Sequence, residues 1–170
     1  MKRFALIALA LAPLAALQAA PKAAHFAPLD YFEQNCARCH GPNGSFYGAE
    51  FGKGLKDDAA LRHIVKEMAE GPGNAPLSPE NLEILTDFHR SLRDGTPYLV
   101  VVEAQQRKNC LVLSGEATPD SKITLGNDKE SVAVKLEGHK WSVEVPRGFD
   151  VEKASLRAVK EGKEKRVAVS

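Results

Sequence analysis

The residues best suited to chemistry form one short stretch, Asn35-Cys36-Ala37-Arg38-Cys39-His40-Gly41, which contains a Cys-x-x-Cys-His motif. Two thiols at this spacing can add across the two vinyl groups of one haem, and the histidine that follows then faces the iron. The motif therefore predicts covalent attachment of one haem c through Cys36 and Cys39. His40 is the predicted proximal ligand of the iron.

Three other uses of the two cysteines compete with haem attachment: a thioredoxin-like redox pair, half of a zinc site, and a structural disulfide. A redox pair of this kind belongs in a βαβ unit, and the sequence has no such pattern. A zinc site needs a second Cys/His pair at ligand spacing, which is also missing from the sequence. Haem attachment is the preferred interpretation, because an export signal precedes the motif and haem is attached to cytochromes c outside the cytoplasm.

The N-terminal residues have the pattern of a secretory signal peptide. Lys2-Arg3 form a positive region, Phe4 to Leu17 form an apolar run, and Leu17-Gln18-Ala19 offers a small-residue cleavage site. We therefore expect residues 1–19 to be removed and the mature protein to be periplasmic, with an uncleaved membrane anchor as the alternative. No second hydrophobic run follows, so the mature chain should have no membrane span. In this oxidising compartment Cys110 is expected to be a buried thiol, or else to form an intermolecular disulfide.

The mature chain has two halves with different periodicity. From Pro28 to Leu92 the apolar residues recur at helical spacing, whereas from Tyr98 to Val169 they alternate as in short strands. Asp94-Gly95-Thr96-Pro97 lies between the two patterns and contains the turn residues Gly and Pro. The sequence therefore predicts two domains, residues 20–97 and residues 98–170.

Three helices are expected in the first half. The first begins near Pro28 and runs into the haem motif, and the second extends from about Ala59 to Glu70. The third has Ser78 as its cap and Pro79 at its first position, and it ends at Asp94-Gly95. The apolar faces of the last two helices are formed by Leu61, Ile64, Val65 and Met68, and by Leu82, Leu85, Phe88 and Leu92.

From Leu29 to about Leu92 the chain resembles the monohaem cytochromes c of the class I type. Those proteins have an aromatic residue four positions before the first cysteine, where this chain has Phe32. Their closing helix carries a Tyr or Phe followed by a segment similar to Arg90-Ser91-Leu92, and here Phe88 comes before that segment. The resemblance implies an all-α cytochrome c-like haem domain with one covalent haem.

The second axial ligand of the iron is open at this stage. Met68 is the only methionine besides the initiator, and it lies between the haem motif and the last helix. It also completes an apolar helical stripe, which favours a place in the core. The family usually places its ligating methionine in the following loop, where this chain has Asn74. Met68 is the tentative ligand, with Asn74, His63 or an open site as alternatives, whereas His89 is expected to face away from the core.

Seven short strands are expected after Tyr98, with turn residues between them. Seven strands in about seventy residues indicate a β-sandwich. The segment from Ser114 to Pro146 resembles bacterial immunoglobulin-like modules, with Trp141 as the anchor of the core. His139 stands alone in a turn, so this half is expected to be a docking or spacer module. The predicted strands are 99–102, 111–113, 122–125, 132–136, 141–145, 154–159 and 165–169.

The charge and the motifs of the sequence limit the classes of function that are expected. The sequence has 23 Lys and Arg against 22 Asp and Glu, and no clustered basic face that would indicate nucleic-acid binding. No acid–base pair or nucleophile is evident, so a role as an enzyme is not expected, although a place as subunit of a larger oxidoreductase stays open. We expect an exported monohaem c-type cytochrome that carries single electrons to or from a partner oxidoreductase. The alternative is a haem-based binder of a small diatomic gas, with a weak or open distal site.

Overall fold

The computed structural model describes residues 23–48, 50–52, 54–55, 57–108 and 110–169. The predicted signal peptide, residues 1–19, lies outside the described residues. Among the described residues four α-helices come first and seven β-strands follow. The elements are α1 (Pro28–Asn35), α2 (Ala37–His40), a 3₁₀ turn (Pro42–Gly44), α3 (Asp58–Glu70), α4 (Pro79–Asp94), β1 (Leu99–Gln106), β2 (Leu111–Ala117), β3 (Lys122–Gly126), β4 (Ser131–Glu137), β5 (Lys140–Val145), β6 (Ser155–Lys160) and β7 (Lys163–Ala168).

The ends of the two long helices follow from their capping residues. The Asp57 carboxylate accepts a hydrogen bond from the backbone N–H of Ala59, which satisfies a free donor at the start of α3. The Ser78 hydroxyl accepts a hydrogen bond from the backbone N–H of Asn81 at the start of α4. Gly95 ends α4 at φ 61°, a left-handed conformation that favours glycine. The helices predicted from these signals are confirmed.

The seven strands form one continuous antiparallel sheet, in the order β1-β2-β5-β4-β3-β6-β7. Strand β4 makes the sheet continuous, because its first half pairs with β3 and its second half pairs with β5. The sheet is curled, and its two outer strands, β1 and β7, come into contact. The core inside the curl includes Leu113, Leu125, Trp141 and Leu156.

The predicted immunoglobulin-like sandwich is wrong, although all seven strands and the core position of Trp141 are confirmed. A sandwich has two separate sheets that pack face to face, whereas β4 joins all the strands of this chain into one sheet. The alternation of apolar residues shows which face of each strand is buried, but it does not identify the strand's neighbours. The error therefore lies in the pairing of the strands.

Helices and sheet share buried contacts, so the chain forms a single small domain dominated by the curled sheet. The residues at the start of β1, together with Tyr98 just before it, face two different cores in alternation. Leu99 and Val101 pack in the core of the sheet, whereas Tyr98 and Val100 pack among the helices. The rings of Tyr98 and Phe88 meet edge to face at 5.6 Å. The predicted fold class, an all-α cytochrome c-like domain followed by an all-β sandwich, is therefore wrong.

Two further contacts tie the N-terminal segment to the sheet. The backbone N–H groups of Ala24 and His25 donate to the carbonyls of Val101 and Val102, both at 2.9 Å. The Glu116 side chain on β2 accepts hydrogen bonds from the N–H groups at the start of α1, as described below. No helix among the described residues is long and apolar enough to cross a membrane.

Candidate haem site

The Cys-x-x-Cys-His motif lies where α1 ends and α2 forms one further turn. The backbone N–H groups of Cys39 and His40 both donate to the Cys36 carbonyl at 3.1 Å, which holds the motif in helical geometry. Residues three and four positions apart lie on the same side of a helix. Cys36 and Cys39 are free thiols, the first partly buried and the second exposed. Cys36 and His40 border the cavity described below, whereas the exposed Cys39 thiol lies outside its lining.

The chemistry around Cys36 bears on the competing uses of the motif. Burial raises the pKa of the Cys36 thiol, whereas a redox-active cysteine needs a lowered pKa and an electropositive setting. Among the described residues, the one group with ligand atoms close enough for a metal is Asp30, Glu116 and His139, which does not include the motif. These observations weigh against a thioredoxin-like pair and against a zinc site.

An apolar cavity opens beside the motif, between the helices. Cys36 and His40 form one side of it, and residues of α3 and α4 form the rest. His40 packs against the Tyr47 ring, with the ring centroids 4.7 Å apart. The lining residues are Cys36, His40, Tyr47, Phe51, Leu55, Leu61, Ile64, Val65, Met68, Ala69, Leu85 and His89. The motif therefore borders a largely apolar space, as a porphyrin ring requires.

The donor set and the lining fit a covalently held haem, but the free space is small. The cavity holds about 130 Å³, whereas pockets for drug-sized ligands measure roughly 300–1,000 Å³. Tyr47 and Phe51 stack with their centroids 4.1 Å apart and occupy part of the region beside His40. A haem ring can enter this space only if these two aromatic rings move apart or shift together.

The three candidates for the second axial ligand differ in their position relative to the cavity. Met68 lines the cavity and is 44% exposed, so it stands at the mouth of the cavity on α3. His63 is exposed on the same helix and pairs with Glu67 at 3.3 Å. Asn74 is exposed in the loop after α3, with a left-handed φ of 44°. Of the three, only Met68 borders the cavity.

His89 is a residue of the site that the sequence prediction missed. It was expected to face away from the core, but it is only 6% exposed and lines the cavity, so that prediction is wrong. Its Nδ1 lies 2.9 Å from the Leu85 carbonyl, and its Nε2 lies 3.5 Å from the Tyr47 hydroxyl. The spacing Leu82, Leu85, His89 is i, i+3, i+7, which is the apolar face of α4. That spacing was the available signal.

Burial of His89 should make the haem-free protein sensitive to acid. Desolvation lowers the pKa of His89 to about 4, so the folded state binds a proton less readily than the unfolded chain, where the pKa is about 6.5. Stability from this group is present above about pH 6.5 and is lost as the pH falls toward 4. The expected loss is about 3 kcal/mol.

Denaturant unfolding of a haem-free variant, with both motif cysteines changed to serine, measures this loss between pH 7 and pH 4. His89→Leu should remove the corresponding part of the pH dependence, while His63→Ala, a change at an exposed histidine, should leave it in place. Equal pH dependence in the His89→Leu and His63→Ala variants would contradict the assignment.

A second cluster of titratable groups joins α1 to the sheet. The Glu116 carboxylate accepts hydrogen bonds from the backbone N–H groups of Leu29 at 2.7 Å and Asp30 at 3.0 Å. His139 lies 2.8 Å from the Asp30 carboxylate, and Lys140 lies 2.7 Å from its other oxygen. His139 is therefore partnered, contrary to its isolated position in the sequence. Each group in this cluster contacts a protein partner. The cluster therefore connects the start of α1 to the sheet.

The sequence and the structure were also compared with known proteins. No family model, curated protein or solved structure matches this chain. The features that indicate a function are therefore the motif, the cavity beside it and the side chains that line the cavity.

Proposed function

We propose that this protein binds one haem c covalently through Cys36 and Cys39, with His40 as proximal ligand, and carries single electrons for a partner oxidoreductase. The observation that carries the proposal is the placement of Cys36 and His40 on one wall of an apolar cavity between helices. Bound haem iron would supply one-electron chemistry by cycling between its ferric and ferrous states. The chain's own residues hold the ring, exclude water from it and set its environment.

The residues that line the cavity support these roles for the chain. Leu61, Val65 and Leu85 are almost fully buried and form its interior, so they would keep water from the ring and influence the redox potential. Ile64 and Met68 are partly exposed at the rim. The rim thus lies at the surface, where a redox partner can approach within electron-transfer distance. Export to the periplasm, where haem c is attached, is part of the same proposal.

The alternative function, binding of a small diatomic gas, is favoured by the position of Met68, which is 44% exposed at the mouth of the cavity. His63 and Asn74 do not border the cavity, and Met68 is the one thioether beside it among the described residues. If Met68 stays at the rim, and His89 in the same cavity keeps its hydrogen bond to the Leu85 carbonyl instead of binding the iron, the distal position is available to an external ligand. The choice between the two functions therefore depends on Met68.

The Met68→Ala variant tests this choice. If Met68 ligates the iron, the wild type should be low-spin in both oxidation states, with the weak long-wavelength band of thioether ligation in the ferric form. The variant should lose that band and bind carbon monoxide at once. Because Met68 is 44% exposed, the unfolding free energy should change by only about 0.5–1 kcal/mol.

Ile64→Ala is the matched control, because Ile64 lies one turn earlier on α3, borders the same cavity and is exposed to a similar degree. It should keep the wild-type spectrum. A wild-type ferrous protein that is high-spin and takes up carbon monoxide without delay would contradict Met68 ligation, and gas binding would then be the leading function.

A further inference from the structure

A second cavity lies directly behind the aromatic pair of the first one. It has a volume of about 390 Å³ and shares Tyr47 and Phe51 with the cavity beside the haem motif. The stacked rings of these two residues therefore separate an apolar cavity from a second space. The lining residues of the second cavity are Gly44, Tyr47, Gly48, Phe51, Leu92, Arg93, Asp94, Gly95 and Lys163.

The two cavities differ in charge. The described residues lining the first cavity include no lysine or arginine, whereas the second has Arg93 and Asp94 at the end of α4 and Lys163 at the start of β7, two cations against one carboxylate. Lys163 Nζ lies 3.3 Å from the Asp94 carbonyl. A Cβ atom at Gly95 would lie only 3.0 Å from the same nitrogen, so the lysine side chain runs along the turn after α4. A side chain of the sheet thus reaches the helical part of the domain.

The charge of Arg93 is largely balanced by its neighbours, and that of Lys163 is less so. Arg93 donates to Asp58 at 2.9 Å and to Asp94 at 2.8 Å, and it also donates to the Leu55 carbonyl at 3.2 Å. No ion pair joins Lys163 to a carboxylate of the described residues. Lys163 is therefore the cation of this cavity with charge available for an anionic group.

Haem is an amphipathic molecule that matches this pair of cavities. Its vinyl groups lie on one side of an apolar ring, and its two propionate carboxylates lie at the opposite edge. The Cys36 and Cys39 thiols fix the vinyl side at the motif, so the carboxylate edge must point away from it. Buried or partly buried carboxylates need a positive partner or hydrogen-bond donors.

We propose, building on haem attachment at the motif, that the Tyr47 and Phe51 rings move to admit the haem, that the second cavity then receives its carboxylate edge, and that Lys163 pairs with a propionate there. The sheet then supplies a positioning residue to the cofactor site, and Arg93 holds the wall of that cavity through its bonds to Asp58, Asp94 and Leu55. This assigns to the β-sheet a part in setting the redox potential, beyond a role as spacer.

The test compares the Lys163→Gln, Lys163→Arg and Lys129→Gln variants of the haem-loaded protein. Removal of the Lys163 charge should stabilise the ferric form, because a nearby cation disfavours the additional positive charge of ferric haem. At a fixed applied potential, the ferric-to-ferrous ratio should rise by about threefold or more in Lys163→Gln. Lys163→Arg should restore the wild-type ratio.

Lys129→Gln is the matched control, because it removes one lysine charge at the opposite end of the sheet. Lys129 lies between β3 and β4, just after Gly126. Gly126 pairs with Ser155 at the start of β6, whereas Lys163 pairs with Lys160 at the end of β6. The control should leave the ratio unchanged. Lys163 is exposed, so Lys163→Gln should fold as the wild type does, and thermal unfolding checks this.

The possible outcomes distinguish this inference from the proposed function. Covalent haem in all variants, with equal shifts or no shift in Lys163→Gln and Lys129→Gln, would overturn the role of Lys163 and leave haem attachment intact. A wild type without covalent haem would overturn both. A shift confined to Lys163→Gln and reversed by Lys163→Arg is the result that the inference requires.

Discussion

Replacement of Cys36 and Cys39 together by serine should abolish covalent haem, so that the purified variant shows no haem absorbance after extraction into acidified organic solvent. Serine hydroxyls do not form thioethers with the vinyl groups, and the haem would then be held by His40 and packing alone. Each single cysteine variant should keep part of the covalent haem through its remaining thiol. The measurement is the absorbance of the polypeptide fraction, produced in a host that attaches haem to exported cytochromes.

Cys110→Ser provides the matched control for these variants. Cys110 is the third cysteine of the chain and lies just before β2, in the part of the chain that forms the sheet and outside the Cys-x-x-Cys-His motif. Its replacement should leave the covalent haem content at the wild-type level. If the double Cys36→Ser and Cys39→Ser variant kept as much haem on the polypeptide as Cys110→Ser, attachment through the motif would be wrong.

Glu116→Ala should lower the unfolding free energy by about 2–4 kcal/mol, which is the largest stability effect we expect from a single polar side chain. Glu116 is only 2% exposed, and its carboxylate accepts two backbone N–H groups at the start of α1. Removal of the carboxylate leaves these donors without their partner, and hydrogen bonds to charged groups contribute roughly 1.5–3 kcal/mol each. Denaturant unfolding measures the change.

Glu144→Ala is the control for this prediction, because Glu144 is an exposed glutamate on the neighbouring strand β5. It should alter the unfolding free energy by less than about 0.5 kcal/mol. Burial raises the pKa of Glu116, although the two N–H donors partly oppose this. Relative to Glu144→Ala, the penalty of Glu116→Ala should therefore shrink as the pH rises through the raised pKa, because the buried carboxylate becomes charged there.

The same unfolding curves test whether helices and sheet form a single domain. Signals from helix and from the Trp141 environment should change together in the wild type, since Tyr98 and Glu116 connect the two parts. Two separate transitions would contradict a single cooperative domain.

Local structure was predictable from the sequence because its signals are local. Ser78 and Pro79 mark the start of α4, and Gly95 marks its end, through hydrogen bonds and backbone angles that involve only neighbouring residues. Strand positions follow in the same way from alternating side chains. The motif residues Cys36, Cys39 and His40 could be recognised from their spacing alone.

The arrangement of these elements was not predictable in the same way. The partners of β4 depend on residues distant in sequence, and alternation alone does not identify them. One signal was nevertheless present: Leu99-Val100-Val101-Val102 is a continuous apolar run, which is typical of a strand covered on both faces. Such a strand predicts contact between the two halves of the chain. The pairing of Glu116 with the start of α1 has no sequence signal, because it joins residues far apart in the chain.

The most direct test of covalent haem attachment is intact-mass spectrometry of the wild-type protein after extraction with acidified organic solvent. The result expected is a polypeptide whose mass exceeds that of the mature chain by one haem, with the added mass on the peptide that contains Cys36 and Cys39. A wild-type polypeptide at the mass of the unmodified chain, with the haem recovered in the solvent or never bound, would contradict the proposal.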